Sequence, residues 1–123
     1  GTPFMINSSA AADCYVTGSV PTQISYTFVE GQYTFMMHRF DQSALTTVGA
    51  LGDAIGVCSS ISEWAGTTWN TASNLPAPFG WTPNYAVSPG MPYMVNATGD
   101  ATWPTVRSFN SNSRKKTQNS VKK

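Results

Sequence analysis

Gly90-Met91-Pro92-Tyr93-Met94-Val95-Asn96 has a near copy at the opposite end of the chain, Gly1-Thr2-Pro3-Phe4-Met5-Ile6-Asn7, at an offset of 89 residues. Gly, Pro, Met and Asn recur, Phe4 answers Tyr93 and Ile6 answers Val95. An echo of this kind marks a repeated structural unit. It implies that the chain opens with the last strands of one module and continues with a whole second module. Both copies read as a strand entered through proline, the position in a strand where a missing N–H costs least. In the first copy the strand at residues 3–7 is followed by small residues and a second short strand at residues 14–17. In the second, residues 92–96 turn through Thr98-Gly99-Asp100 and resume at 102–106.

Between the two copies the hydrophobic period decides the elements. Residues 22–29 alternate, with Ile24, Tyr26 and Phe28 on one face, and residues 32–40 place Tyr33, Phe35 and Met37 together. With Glu30-Gly31 between them they predict a β-hairpin with those faces buried. Leu45, Val48, Leu51 and Ile55 fall at helical spacing, which predicts a helix over 44–55, capped by Thr46 or Thr47 and ended by Gly56. Gly49 and Gly52 weaken that helix by about 1 kcal/mol each, so it must rely on packing. A second hairpin is predicted from 57–64 and 68–72 around Ala65-Gly66-Thr67. The proline-bearing run 73–84 reads as a loop and residues 85–87 as a short strand. The fold class is therefore mostly β, a sandwich-like antiparallel sheet with one short helix packed on it. Residues 1–20 read as terminal strands and a donor segment, 21–106 as the β-rich module and 107–123 as a basic tail.

Composition narrows the function. The chain has 123 residues, one domain's worth, and Ser plus Thr number 29 against thirteen charged residues. This weakly charged, hydroxyl-rich and aromatic composition fits an extracellular β protein. Residues 1–106 hold one Arg and all six carboxylates, a net −5, whereas 107–123 carry Arg107, Arg114, Lys115, Lys116, Lys122 and Lys123, a net +6. An acidic body with a basic tail favours contact between copies. Nucleic-acid binding is disfavoured, because the tail interleaves its charges with only one aromatic, Phe109, and the body is acidic. No apolar run is long enough to span a membrane, no signal-peptide pattern stands at the start, and Gly1 in place of Met points to a processed or excised chain. In an oxidising compartment Cys14 and Cys58 would close a disulfide loop; in a reducing one they would be two buried thiols.

No catalytic constellation is present. His38 is the single histidine and follows Met36-Met37, with no neighbouring ligand set for a metal and no Gly-x-Ser-x-Gly for a hydrolase. The expectation is a non-enzyme with no cofactor. Trp64, Trp69, Trp81 and Tyr85 form an aromatic set suited to stacking on glycan rings. Asn7-Ser8-Ser9 and Asn96-Ala97-Thr98 are N-glycosylation acceptor patterns at equivalent repeat positions, both expected in exposed turns.

Several of these features occur together in a known module. A short helix ending Ala54-Ile55-Gly56, a strand with Trp64 before Gly66-Thr67 and Trp69, and a closing Pro89-Gly90-x-x-Tyr93-x-Val95-Asn96 appear in that order. Residues 22–105 thereby resemble a β-rich module that recurs in tandem in large secreted and cell-surface proteins of bacteria and archaea. The opening hairpin departs from the usual form at Tyr33 and Met36-Met37-His38. The resemblance implies an extracellular scaffold or spacer without catalysis.

Two functions follow as expectations. In the first, the chain is an extracellular structural subunit that self-assembles head to tail into a filament or surface layer by strand exchange through Pro3, Phe4, Met5, Ile6, Cys14 and Val16. In the second, it is a carbohydrate-binding or adhesive module of a larger tandem-repeat surface protein.

Overall fold

The computed structural model describes residues 6–15, 17–19 and 24–105. Its elements run β1 (Tyr26–Phe28), β2 (Tyr33–Met37), a 3-10 turn at Phe40–Gln42, α1 (Val48–Ile55), β3 (Cys58–Trp64), β4 (Trp69–Leu75), β5 (Gly80–Thr82), β6 (Pro92–Ala97) and β7 (Ala101–Trp103). Five strands form one sheet in the order β2-β6-β3-β4-β5, and β1 pairs with β7 in a second sheet of two. Every pairing is antiparallel. The fold is thus mostly antiparallel β with one short helix, as the periodicities predict.

The strand that closes the repeat motif lies inside the sheet. β6 pairs with β2 on one side and β3 on the other, and its Tyr93, Val95 and Ala97 are buried while Met94 and Asn96 are half-buried on the opposite face. Pro92 stands at its first residue, where the ladder needs no donor. Gly90 precedes it at φ +84°, a left-handed conformation that glycine adopts without strain, and its N–H donates to His38 O at 2.7 Å.

The core lies between the inner face of the five-stranded sheet, the helix and the small sheet. Val48, Leu51 and Ile55 meet Ile61, Val95, Tyr93 and Met36, while Phe28 and Trp103 close the far side. Each fully buried Leu, Ile, Phe or Met contributes about 1.5–3 kcal/mol relative to leaving it exposed. The helix is capped as expected: Thr47 Oγ1 accepts from Ala50 N–H at 3.2 Å, and Gly56, at φ +82°, returns its N–H to Gly52 O. It begins at Val48 rather than at 44, because residues 45–47 are committed to other bonds. Val87 N–H donates to Thr46 O, Val48 N–H donates to Tyr85 O, and Thr47 bridges Ala86. The strand expected at 85–87 is accordingly reduced to that one bridge.

Four expectations are corrected. The hairpin over 22–40 does not form. Its turn exists, with Gln32 N–H on Val29 O at 3.0 Å, but β1 leaves for β7 and β2 for β6. The turn is held from outside: Glu30 N–H donates to Asp100 Oδ1 at 2.9 Å and Gly31 N–H to Ala97 O at 2.9 Å. Two corner turns, 29–32 and 97–101, therefore lie against each other and pass both chain segments from one sheet to the other. The buried face of β2 is also inverted, with Met36 and His38 fully buried and Tyr33 and Phe35 exposed. Within the stretch 73–84, β4 continues to Leu75 and β5 pairs with it from Ser73↔Thr82 to Leu75↔Gly80, so this segment is not all loop. Finally, the described residues among 6–19 carry no strand, so none is seen at Ile6, Asn7, Cys14, Tyr15 or Thr17. Pro3, Phe4, Met5, Val16 and the basic tail at Arg114, Lys115, Lys116, Lys122 and Lys123 lie outside the described residues.

Candidate functional site

The aromatic set splits between two faces. Trp64 and Trp69 face each other across the β3–β4 hairpin on the outer side of the five-stranded sheet. Their ring centroids are 5.2 Å apart at 67°, an edge-to-face pair. Trp81 and Tyr85 belong to the inner side. Trp81 donates from Nε1 to Asp53 Oδ1 at 2.9 Å and lies over Gly52 of the helix. Tyr85 donates its hydroxyl to Ile61 O at 3.0 Å, and its burial, with the Glu63 charge nearby, raises its pKa. A four-ring stacking platform is therefore not assembled.

The outer side gains a ring that sequence reasoning assigned to the core. Phe35 stands 6.3 Å from Trp69 at 54°, and Tyr33 lies two residues before it on the same edge strand. The register explains how they meet. One row across the sheet runs Phe35–Met94–Ser62–Thr71, and the row beside it runs Tyr33–Asn96–Ser60–Ser73. Ser62, standing among these larger side chains, is 3 % exposed, and its hydroxyl is satisfied by Thr71 Oγ1 at 2.8 Å. Neither row contains an ionisable group other than the Tyr33 phenol. Glu63, the one charged residue of β3, alternates to the inner side and accepts from Asn70 Nδ2 at 2.9 Å.

The cysteines are not joined. Cys14 is exposed and Cys58 buried, and both are free thiols. Cys58 donates to Gly52 O at 3.3 Å, and burial, reinforced by the Asp53 charge, pushes its pKa up to about 12 from an ordinary value of 9.0. Between those two values the unfolded thiol ionises while the folded one does not. Its stabilising contribution is thus complete below pH 9 and is lost as the pH rises toward 12. A thiol-disulfide reagent at pH 8 is expected to titrate one equivalent in the native protein, at Cys14, and a second only after denaturation. Two fast equivalents would contradict the burial of Cys58.

His38 is fully buried, with Nε2 at 2.8 Å from Leu45 O and Nδ1 without a hydrogen-bond partner among the described residues. It ties the end of β2 to the segment entering the helix. Arg39 next to it grips Asp41 and the carbonyl of Ile24, and that hydrogen bond holds the Asp41 carboxyl below its usual range. Among the described residues no three His, Cys, Asp or Glu side chains are grouped to hold a metal ion. No helix among them is long and apolar enough to cross a membrane.

The two glycosylation patterns are not equivalent in space. Asn7 is exposed and outside any strand, whereas Asn96 is half-buried within β6, between Tyr33 and Ser60. Phe35 and Thr71 are the outer-face residues that sequence reasoning missed. No local signal marks them, because β2, β4 and β6 carry no charge on either face. Comparison with protein-family models, with curated proteins and with solved structures returns no match to this chain.

Proposed function

We propose that the chain is a non-enzymatic structural subunit of an extracellular or cell-surface assembly, in which copies join head to tail by lending the N-terminal segment to a neighbouring module. The observation that supports this reading is the place of the motif. Pro92–Ala97 is an interior strand paired on both sides, so the position its copy at residues 3–7 would take by equivalence is already filled in this module. Ile6 and Tyr15 are 73 % and 86 % exposed.

A receiving edge exists on the same molecule. β2 ends the sheet, and its even-numbered residues face β6: Ala97 N–H donates to Gln32 O and His38 N–H to Met91 O. By the alternation of an antiparallel ladder, the backbone groups of Tyr33 and Phe35 point away from β6. Met37 confirms that direction, since its N–H reaches Tyr26 Oη on the far side at 3.2 Å. A sheet edge with no strand beyond it among the described residues, and a β-prone segment that repeats a paired strand, would be the two halves of a strand-addition contact. Such a contact is heterologous and need not close, which allows a filament or layer. A +6 tail against a −5 body adds a second contact that salt weakens.

Removal of residues 1–20 is expected to leave a folded module that elutes as a monomer with light-scattering detection, while the full chain grows in mass with concentration. Assembly that survives the truncation would discard the strand-lending reading.

A further inference from the structure

We propose that the outer face of the five-stranded sheet, centred on Phe35, Trp64 and Trp69, is a binding site for a neutral polysaccharide. The three rings form one connected surface: Phe35 contacts Trp69 at 6.3 Å and Trp69 contacts Trp64 at 5.2 Å. Phe35 and Trp64 remain 46 % and 41 % exposed, each packed on Trp69.

Chemistry selects the occupant. The two rows beside the tryptophan pair bear hydroxyls and an amide, Thr71 in the row of Phe35 and Ser60, Ser73 and Asn96 in the row of Tyr33, at ladder spacings of about 5 Å. No carboxylate, ammonium or guanidinium stands among them, although the body as a whole is acidic. A charged polymer finds no counter-charge on this face. A protein partner would meet a surface whose rings are flanked by the hydroxyls and amide of the neighbouring rows, unlike the dry centre of a protein interface. A sugar ring matches both parts, because its C–H face stacks on an aromatic ring while its hydroxyls pair with neighbouring hydroxyls and amides. The face is separate from the N-terminal segment, so this site stands or falls independently of strand lending.

The test is retention of the full chain on insoluble cellulose, chitin and xylan, with polygalacturonate as the anionic control. Retention on at least one neutral polymer is expected, and it persists in about 0.5 M NaCl because no ion pair contributes. Trp64→Ala is expected to weaken it by about tenfold or more. Thr71→Glu is expected to do the same while every ring stays in place, because it sets a carboxylate among them at an exposed strand position; its unchanged thermal unfolding shows that the fold is intact. Tryptophan emission should shift when the polymer is added and fail to shift in Thr71→Glu. Retention on none of the neutral polymers, retention on polygalacturonate alone, or variants that disrupt only self-association would each overturn the assignment.

Discussion

Met36→Asp is expected to leave the chain without a folded population at 25 °C, whereas Phe35→Asp, one residue earlier on the same strand, keeps the fold. Met36 is fully buried against a core that includes Phe28, Leu51, Ile61 and Val95. Truncating a buried methionine costs about 2–5 kcal/mol, and an unpaired buried carboxylate adds several more. That total is comparable with the whole stability of a small domain, about 5–15 kcal/mol. Phe35 is 46 % exposed and loses mainly its tilted contact with Trp69, worth about 1 kcal/mol. Far-UV circular dichroism and denaturant titration of the two variants give the comparison. If Phe35→Asp were the one that unfolds, β2 would face the other way and the outer aromatic surface would not exist. The folded Phe35→Asp protein is also expected to lose retention on neutral polysaccharide, which links the strand's orientation to the site.

That pair of variants marks where the sequence stops being legible. Residues 33–38, Tyr-Thr-Phe-Met-Met-His, are apolar on both faces, so alternation alone favours the larger aromatics as core. What overrides it is pairing with strands far along the chain, β2 with β6 and β1 with β7, which places the two segments in different sheets. Local signals decide the structure where the physics is local. Thr47 and Gly56 cap the helix, Ala65-Gly66-Thr67 turns the β3–β4 hairpin, and residues 92–96 form a strand. Trp64 and Trp69 could be paired from the sequence because a tight hairpin places them opposite each other. Phe35 could not be added to them, since it reaches Trp69 across β6 and β3, and the strand order is not encoded in any short stretch. β5 was hidden for a related reason: proline at 76, 78 and 83 signals a loop, yet three residues between them suffice to pair an edge.

Helix propensity and packing make opposite predictions for Gly52, and packing is expected to win. Replacing a mid-helix glycine by alanine ordinarily stabilises by up to about 1 kcal/mol. A Cβ at Gly52, however, would overlap Trp81 Cζ2 and come within 2.6 Å of Cε2. The indole has little room to yield, because its Nε1 is held by Asp53 Oδ1 at 2.9 Å and the ring covers the helix where β5 approaches it. Gly52→Ala is therefore expected to destabilise the protein by about 1–3 kcal/mol in denaturant titrations, the usual range for overpacking. Gly49→Ala is the control on the same helix. Its Cβ would meet only the Asn84 side chain, at 3.0 Å, so the propensity gain and the strain on the hydrogen bond between Gly49 N–H and Asn84 Oδ1 nearly cancel. A double-mutant cycle isolates the contact: once Trp81→Ala has removed the ring, adding Gly52→Ala should stabilise the chain instead of destabilising it. The same sign in both backgrounds would mean that the indole does not rest on the helix. Because Trp81 lies on the inner side of the sheet, folded Gly52→Ala protein should still be retained by neutral polysaccharide, which separates the cost to the core from the function of the outer face.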